Sequence, residues 1–220
     1  MTANARRTAP PCRLCLIAPA PIDPLVFAPQ LEAALDAGDV ACLILPQAGS
    51  PAAMQRVAEI VVPIAQTRGV ATLIADDTRV AARTRADGVH IERGIDDVRS
   101  AIESFHPDRI VGVGGVYSRH DAMLAGERGP DYVLFGRLGG DDQDRIPEAM
   151  LDLATWWCEI VEVPAMVMGS RLLASAPAAA ATGAEFVALG RAVWGDPRGA
   201  AYAIAEANRL LLRPVEVPLP

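Results

Sequence analysis

Residues 163–197 read VPAMVMGSRLLASAPAAAATGAEFVALGRAVWGDP. Two nearly continuous apolar runs, 163–169 and 185–190, each end in glycine, with a helical stretch between them. A strand with one wet face alternates apolar and polar residues. Unbroken apolar runs mark parallel strands that are covered by helices outside and packed within. Working outward from this pair, the same kind of run recurs as RLCLIAP (13–19), VACLIL (40–45), ATLIA (71–75), DGVHI (87–91), RIVGVG (109–114) and DYVLFG (131–136). Eight alternating strand and helix units predict a single (β/α)8 TIM barrel. The competing open doubly wound sheet lacks its Gly-x-Gly-x-x-Gly turn after the first strand. The barrel is bounded at 13–213, with a flexible arm at 1–12 and a tail at 214–220.

Helix signals fill the gaps. Residues 24–36 place Leu25, Ala28, Leu31 and Leu35 on one face, with Gly38 as the stop. Ser50 and Pro51 read as cap and first-turn proline of a helix that Pro63 should kink or shorten. Further helices are predicted over 96–105, from Ser118 to about 128, from Pro147, and from an Asp196–Pro197 start.

Composition narrows the function. The 220 residues are 51% hydrophobic, enough for a sizeable core, and the formal net charge of −7 opposes nucleic-acid binding, which draws its affinity from cationic side chains. All 20 basic residues are arginine, so neither a Schiff-base lysine nor an ammonium phosphate clamp is available. Cys12 and Cys15 have a suggestive spacing, but positions three apart on a strand point to opposite faces, which argues against metal or redox use. The amino-terminal apolar stretch is too short and proline-broken for a signal or a membrane span. The chain reads as cytoplasmic, acting on a small molecule, with a homodimer left open.

Chemistry in a barrel gathers at the carboxyl ends of the strands. MGSR (168–171) and LGRAVWGDP (189–197) follow strands seven and eight, where barrels often bind phosphate through backbone N–H groups. Gly169 and Gly190 allow close approach, Ser170 offers a hydroxyl, and Arg191 can grip phosphate oxygens. The plain alternative is a pair of tight turns. His90 stands near a strand end, either facing the mouth or packed. Asp141, Asp142 and Asp144 are either cation ligands or a solvated acidic loop. Trp156, Trp157 and Trp194 read as packing or interface residues.

The segments ADGVHI (86–91), PDYVLFG (130–136) and the opening pattern, in this order and spacing, resemble the thiamine phosphate synthase family and its relative the thiazole tautomerase. The resemblance covers most of the chain from about residue 70. It implies a transferase of thiamine biosynthesis that joins a pyrimidine pyrophosphate to a thiazole phosphate with loss of pyrophosphate, aided by Mg²⁺. It also implies site residues. Gly169 matches the first Gly of the family's Gly-Gly turn, Ser170 replaces the second, and Arg191 stands where Ser is common. After strand two the family's Gln-x-Arg-x-Lys is replaced by ILPQA (44–48). After strand three, Asp76 survives from an Asn-Asp pair. In HIERGIDD (90–97), Glu92, Asp96 or Asp97 stands in for the family's acidic metal ligand. Gly114 replaces a Ser, and FGRLGGDDQDR (135–145) lacks the synthase's Thr-rich, Lys-ending loop. Arg137 takes the place of the tautomerase's His. A guanidinium with pKa above about 12 can hold an anion but cannot exchange protons near neutrality.

Three functional readings follow. The first is a synthase-like barrel that binds a phosphorylated small molecule, of thiazole phosphate or thiamine phosphate type, with degraded pyrophosphate and magnesium loops and little or no synthase activity. The second is an active synthase with a diverged site. The third is a non-catalytic interaction or regulatory barrel. Arg137, Asp76 and His90 are the catalytic candidates; Asp76, Glu92 and Asp96 are the Mg²⁺ candidates.

Overall fold

The computed structural model describes residues 11–212. The predicted tail, and the predicted arm apart from positions 11 and 12, lie outside the described residues. Cys12, assigned to the arm, is half-buried and packs against the outer core.

Eight parallel strands close into a barrel in sequence order: β1 (Arg13–Ile17), β2 (Cys42–Leu45), β3 (Ala71–Ala75), β4 (Gly88–Ile91), β5 (Ile110–Val116), β6 (Tyr132–Phe135), β7 (Ala165–Met168) and β8 (Phe186–Leu189). This is the predicted TIM barrel. Strand β1 closes it, with Leu14 opposite Val187 on one side and Cys15 opposite Cys42 on the other. Successive side chains alternate between two layers. Leu14 and Leu16 point outward into the core beneath the helices, whereas Cys15 and Ile17 join Ile44, Leu73, Leu134 and Met166 inside the barrel. Both faces are dry, so the strands read as continuous apolar runs.

The CRLC cysteines therefore sit in different layers. Burial pushes the Cys12 thiol up to about 12, Cys158 up to about 11 and Cys15 well above the usual range, so these sulfurs stay protonated near neutrality.

The helices are α1 (Pro24–Leu35), α2 (Pro51–Gln66), α3 (Thr78–Thr84), α4 (Ile95–Phe105), α5 (Arg119–Gly126), α6 (Glu148–Ile160), α7 (Ala176–Ala180), α8 (Arg191–Trp194) and α9 (Ala200–Leu211). Side-chain caps start several of them. Ser50 Oγ accepts from the Ala53 N–H and Ser118 Oγ from the Asp121 N–H, each meeting one otherwise orphaned donor.

Three local expectations need correction. In α1 the buried face is Phe27, Leu31, Ala34 and Leu35, and Leu25 is 77% exposed. Helix α2 runs three residues past Pro63, which lies on its exposed side. The last helix begins at Ala200, because Asp196 Oδ1 accepts from the Arg198 N–H and closes a separate turn.

One irregularity positions the site. The β5–β6 register shifts between Val113 and Val116, Gly115 takes φ +71°, and its N–H donates to the Gly136 carbonyl. Such a bulge re-aims the chain at a barrel rim. Here it sets the exit of the loop after β6, residues 136–147, called loop six below. Among the described residues no helix is long and apolar enough to cross a membrane.

Candidate active site

A cavity of about 940 Å³ opens at the carboxyl ends of the strands. Its walls come from the loops after β1 (Ala18, Pro19), β2 (Pro46, Gln47), β3 (Asp76), β4 (Glu92), β6 (Leu138, Asp141), β7 (Arg171) and β8 (Gly190, Arg191, Trp194). The charged lining is three carboxylates, Asp76, Glu92 and Asp141, against two guanidinium groups, Arg171 and Arg191.

The acidic wall is built from adjacent strand ends. Asp76 has φ +54°, a left-handed conformation that Asp tolerates better than most residues. Its Oδ1 accepts from the backbone N–H groups of Glu92 (2.8 Å) and Arg93 (3.3 Å). Glu92 Oε1 in turn accepts from the Leu138 N–H at 2.8 Å. Each carboxylate thus has one oxygen pinned by backbone, and among the described residues no donor reaches Asp76 Oδ2 or Glu92 Oε2. On the rim, Arg93 Nη2 donates to Gln47 Oε1 at 2.7 Å, bringing a guanidinium beside the loop after β2.

Beneath Glu92 lies a buried polar chain. His90 is fully buried; its Nδ1 is 2.8 Å from Tyr132 Oη and its Nε2, which has no hydrogen-bond partner among the described residues, is 3.6 Å from Glu92 Oε1. Burial pushes the Tyr132 phenol well up, so it stays protonated, and the imidazole tautomer decides which of Tyr132 Oη and His90 Nδ1 donates. Gly114 makes room for this pair: a Cβ there would stand 2.6 Å from His90 Nε2 and 2.7 Å from Glu92 Oε1. Gly114 is thus sterically tied to His90 and Glu92.

The remaining sequence candidates separate. Arg137 is exposed and does not line the cavity; Leu138 does. Asp96 lies exposed in the first turn of α4 and pairs with Arg99 at 3.1 Å. Of the predicted phosphate turn, Gly190 and Arg191 line the cavity, whereas Gly169 and Ser170 do not. The Gly169 N–H donates to the Ala188 carbonyl, the Ser170 N–H to Ser175 Oγ, and the Arg191 N–H to Asp141 Oδ2 at 2.5 Å. The role of Asp141 had no local signal in the sequence, since its partner lies 50 positions away. Trp157 is buried, Trp156 lies under the Arg119 guanidinium at 4.8 Å, and Trp194 Nε1 donates to the Ile17 carbonyl.

Loop six spans this mouth. Beyond its contacts to Glu92 and Arg191, its far end is held where the Arg171 N–H donates to the Gln143 carbonyl and Arg171 Nε to Asp144 Oδ1 at 2.5 Å. The guanidinium holds the Asp144 carboxyl below the usual carboxylate range. A depressed folded-state pKa contributes stability above the unfolded value, about 3.9, and loses it as pH falls through the folded value. Hydrogen exchange of residues 137–146, corrected for intrinsic rate, should be constant between about pH 6 and 8 and accelerate below about pH 4. Asp144→Asn should exchange faster at neutral pH; equal protection in both proteins would count against the latch.

Comparison with known proteins gives the following. The sequence profile of the family described as thiamine monophosphate synthase matches residues 14–193. The thiamine-phosphate synthase of Rhodospirillum centenum is 42% identical over 203 residues, covering 91% of this chain and 98% of that protein. That of Hyphomonas neptunium is 37% identical over 211 residues, covering 91% and 94%. Among solved structures, thiamine phosphate pyrophosphorylase from Pyrococcus furiosus aligns with a TM-score of 0.75 at 22% identity, covering 90% of this chain and 95% of that one. A 3-hexulose-6-phosphate synthase aligns with a TM-score of 0.67 at 16% identity, covering 88% and 98%. At these identities the two structures speak to the fold alone.

Proposed function

We propose, from the premise that this chain belongs to the thiamine monophosphate synthase family, that its mouth cavity binds a phosphorylated small molecule with the help of Mg²⁺ and supports slow synthase-type transfer. The carrying observation is the pair Asp76 and Glu92, which line one cavity with one oxygen each left open. Among the described residues no three His, Cys, Asp or Glu side chains gather as a metal cage. That suits Mg²⁺, which keeps several waters and takes one or two carboxylates plus substrate phosphates. Asp76 and Glu92 would hold it, and it would supply positive charge beside a departing diphosphate.

Three carboxylates against two guanidinium groups leave the lining acidic, so a bare diphosphate is repelled. Arg171 and Arg191 face it from the opposite wall. The Arg and Lys that the resemblance expects after β2 are absent, and Arg93 on Gln47 restores one cation at that rim. One missing cation at about 4 Å is worth roughly 4 kcal/mol at an effective dielectric of 20, or about a thousandfold in rate. The transfer is therefore slow.

Calorimetric titration with inorganic pyrophosphate, with Mg²⁺ and with a chelator, checks the binding. A gain on the order of a thousandfold in affinity with the metal is expected. Equal binding in both conditions, or none in either, would sink the proposal. Product formation from the two family substrates should be slow, dependent on Mg²⁺ and above an enzyme-free blank.

A further inference from the structure

One guanidinium at the mouth is left without a counter-charge. Arg171 pairs with Asp144, and Arg191 Nε lies 3.4 Å from Asp141 Oδ1, so both arginines that line the cavity carry a carboxylate of loop six. Arg93 differs. Its Nη2 donates to the neutral Gln47 Oε1 at 2.7 Å, and among the described residues no carboxylate or other acceptor meets the rest of its guanidinium. Gln47 lines the cavity, so this contact holds an uncompensated cation at the rim beside the loop after β2. A neutral amide orients a guanidinium without cancelling its charge, and it leaves the other N–H donors of the fork open.

The backbone sets this cation beside the acidic wall. Asp76 Oδ1 accepts from the N–H groups of both Glu92 and Arg93, so the two carboxylates and the root of the arginine share one anchor. Gly94 follows at φ +152°, a conformation that side-chain-bearing residues rarely adopt, and opens α4, so Arg93 is held between a hydrogen bond and a turn. Asp76 and Glu92 are half-buried and Arg93 is exposed, which puts the guanidinium outside the proposed metal position on the same wall. A ligand with two linked phosphoryl groups can meet both cations. A single phosphoryl group meets one.

From this we infer that Arg93 is the diphosphate-selecting residue of the cavity, gripping the outer phosphoryl group while the metal at Asp76 and Glu92 takes the inner one, with Gln47 as its positioning residue. The planar fork of a guanidinium matches two phosphate oxygens at once. The resemblance expects these cations after β2; here the cation comes from the end of β4, 46 positions beyond the glutamine that holds it. The inference rests on the proposed function for the Mg²⁺ position alone. It draws nothing from the turns after β7 and β8, so a phosphate monoester bound in the same cavity is compatible with it.

The test uses the full chain and calorimetry, with pyrophosphate and inorganic phosphate titrated separately, each with Mg²⁺ and with a chelator. Arg93→Gln should weaken Mg²⁺–pyrophosphate binding by about ten- to a hundredfold, the worth of a hydrogen bond to a charged group, and leave phosphate affinity within about twofold. Arg99→Gln removes an equal charge from exposed α4 and should change neither by more than about twofold. Gln47→Ala should cost pyrophosphate affinity about two- to fivefold in the native background and nothing further in Arg93→Gln. Because Arg93 is exposed, its variant should unfold within about 2 °C of native. Unchanged pyrophosphate affinity in Arg93→Gln, or an equal loss for phosphate, overturns the inference; metal-dependent binding by the native protein would still leave the proposed function standing. An equal cost of Gln47→Ala in both backgrounds overturns the role given to Gln47. If the native protein binds pyrophosphate equally without Mg²⁺, the proposed function falls alone, and a loss in Arg93→Gln still assigns the arginine to the diphosphate. Absence of pyrophosphate binding in both conditions overturns both.

Discussion

Gly112→Ala should lower the stability of the barrel by about 3 kcal/mol, the upper end of the usual cost of overpacking a core. The added Cβ would stand 2.0 Å from Tyr132 Cζ, 2.2 Å from Cε1 and 2.3 Å from Oη. The ring has nowhere to recede. It is buried in the barrel interior, stacked on His90 with centroids 5.7 Å apart, and anchored through its hydroxyl to Nδ1. For a domain of this size the cost corresponds to a fall of about 10 °C in Tm, measurable by thermal or urea unfolding. The control is a double-mutant cycle with Tyr132→Ala. Once the ring is gone the same Gly112→Ala should cost less than about 0.5 kcal/mol, because only contacting residues couple strongly. Equal costs in the two backgrounds would mean that the glycine serves something other than the ring.

The same alternation that puts Tyr132 and His90 inside made the barrel legible. Strands dry on both faces leave continuous apolar runs, and all eight appear within a few residues of where those runs lie. The shortest helices, α7 and α8, are one turn or little more and carry no helical period to read. At the site, Asp76 and Glu92 could be found because a residue just past a parallel strand must lie at the mouth. The same rule puts Arg137 there, and a glycine overrides it. Gly136 takes φ +114° where a Cβ would stand 2.6 Å from Met168 Cβ, and the chain turns so that Arg137 is exposed and Leu138 lines the cavity. Asp141 was visible only as part of an acidic loop. Its partners are a backbone N–H and a guanidinium brought close by closure of the barrel, and no spacing within the sequence encodes that approach.

Asp76→Asn separates charge from shape at the acidic wall. The amide oxygen can still accept from the Glu92 and Arg93 N–H groups that pin Oδ1, so the left-handed backbone at φ +54° and the link to β4 should survive. Under the proposed function, what disappears is one negative charge that would face a divalent cation. At about 4 Å and an effective dielectric of 20, a single unit-charge pair is worth roughly 4 kcal/mol, so Mg²⁺-dependent pyrophosphate affinity should fall on the order of a thousandfold. Metal-free binding of the same probe should not weaken, and should strengthen if anything, because the lining becomes less acidic. That opposite movement distinguishes loss of a metal ligand from general damage to the cavity. Asp96→Asn supplies the reference: its carboxylate lies exposed on α4 beside Arg99, away from the cavity, so pyrophosphate affinity should stay within about twofold of native. A loss in Asp96→Asn equal to that in Asp76→Asn would move the metal to the start of α4, and an unchanged Asp76→Asn would remove Asp76 from the site.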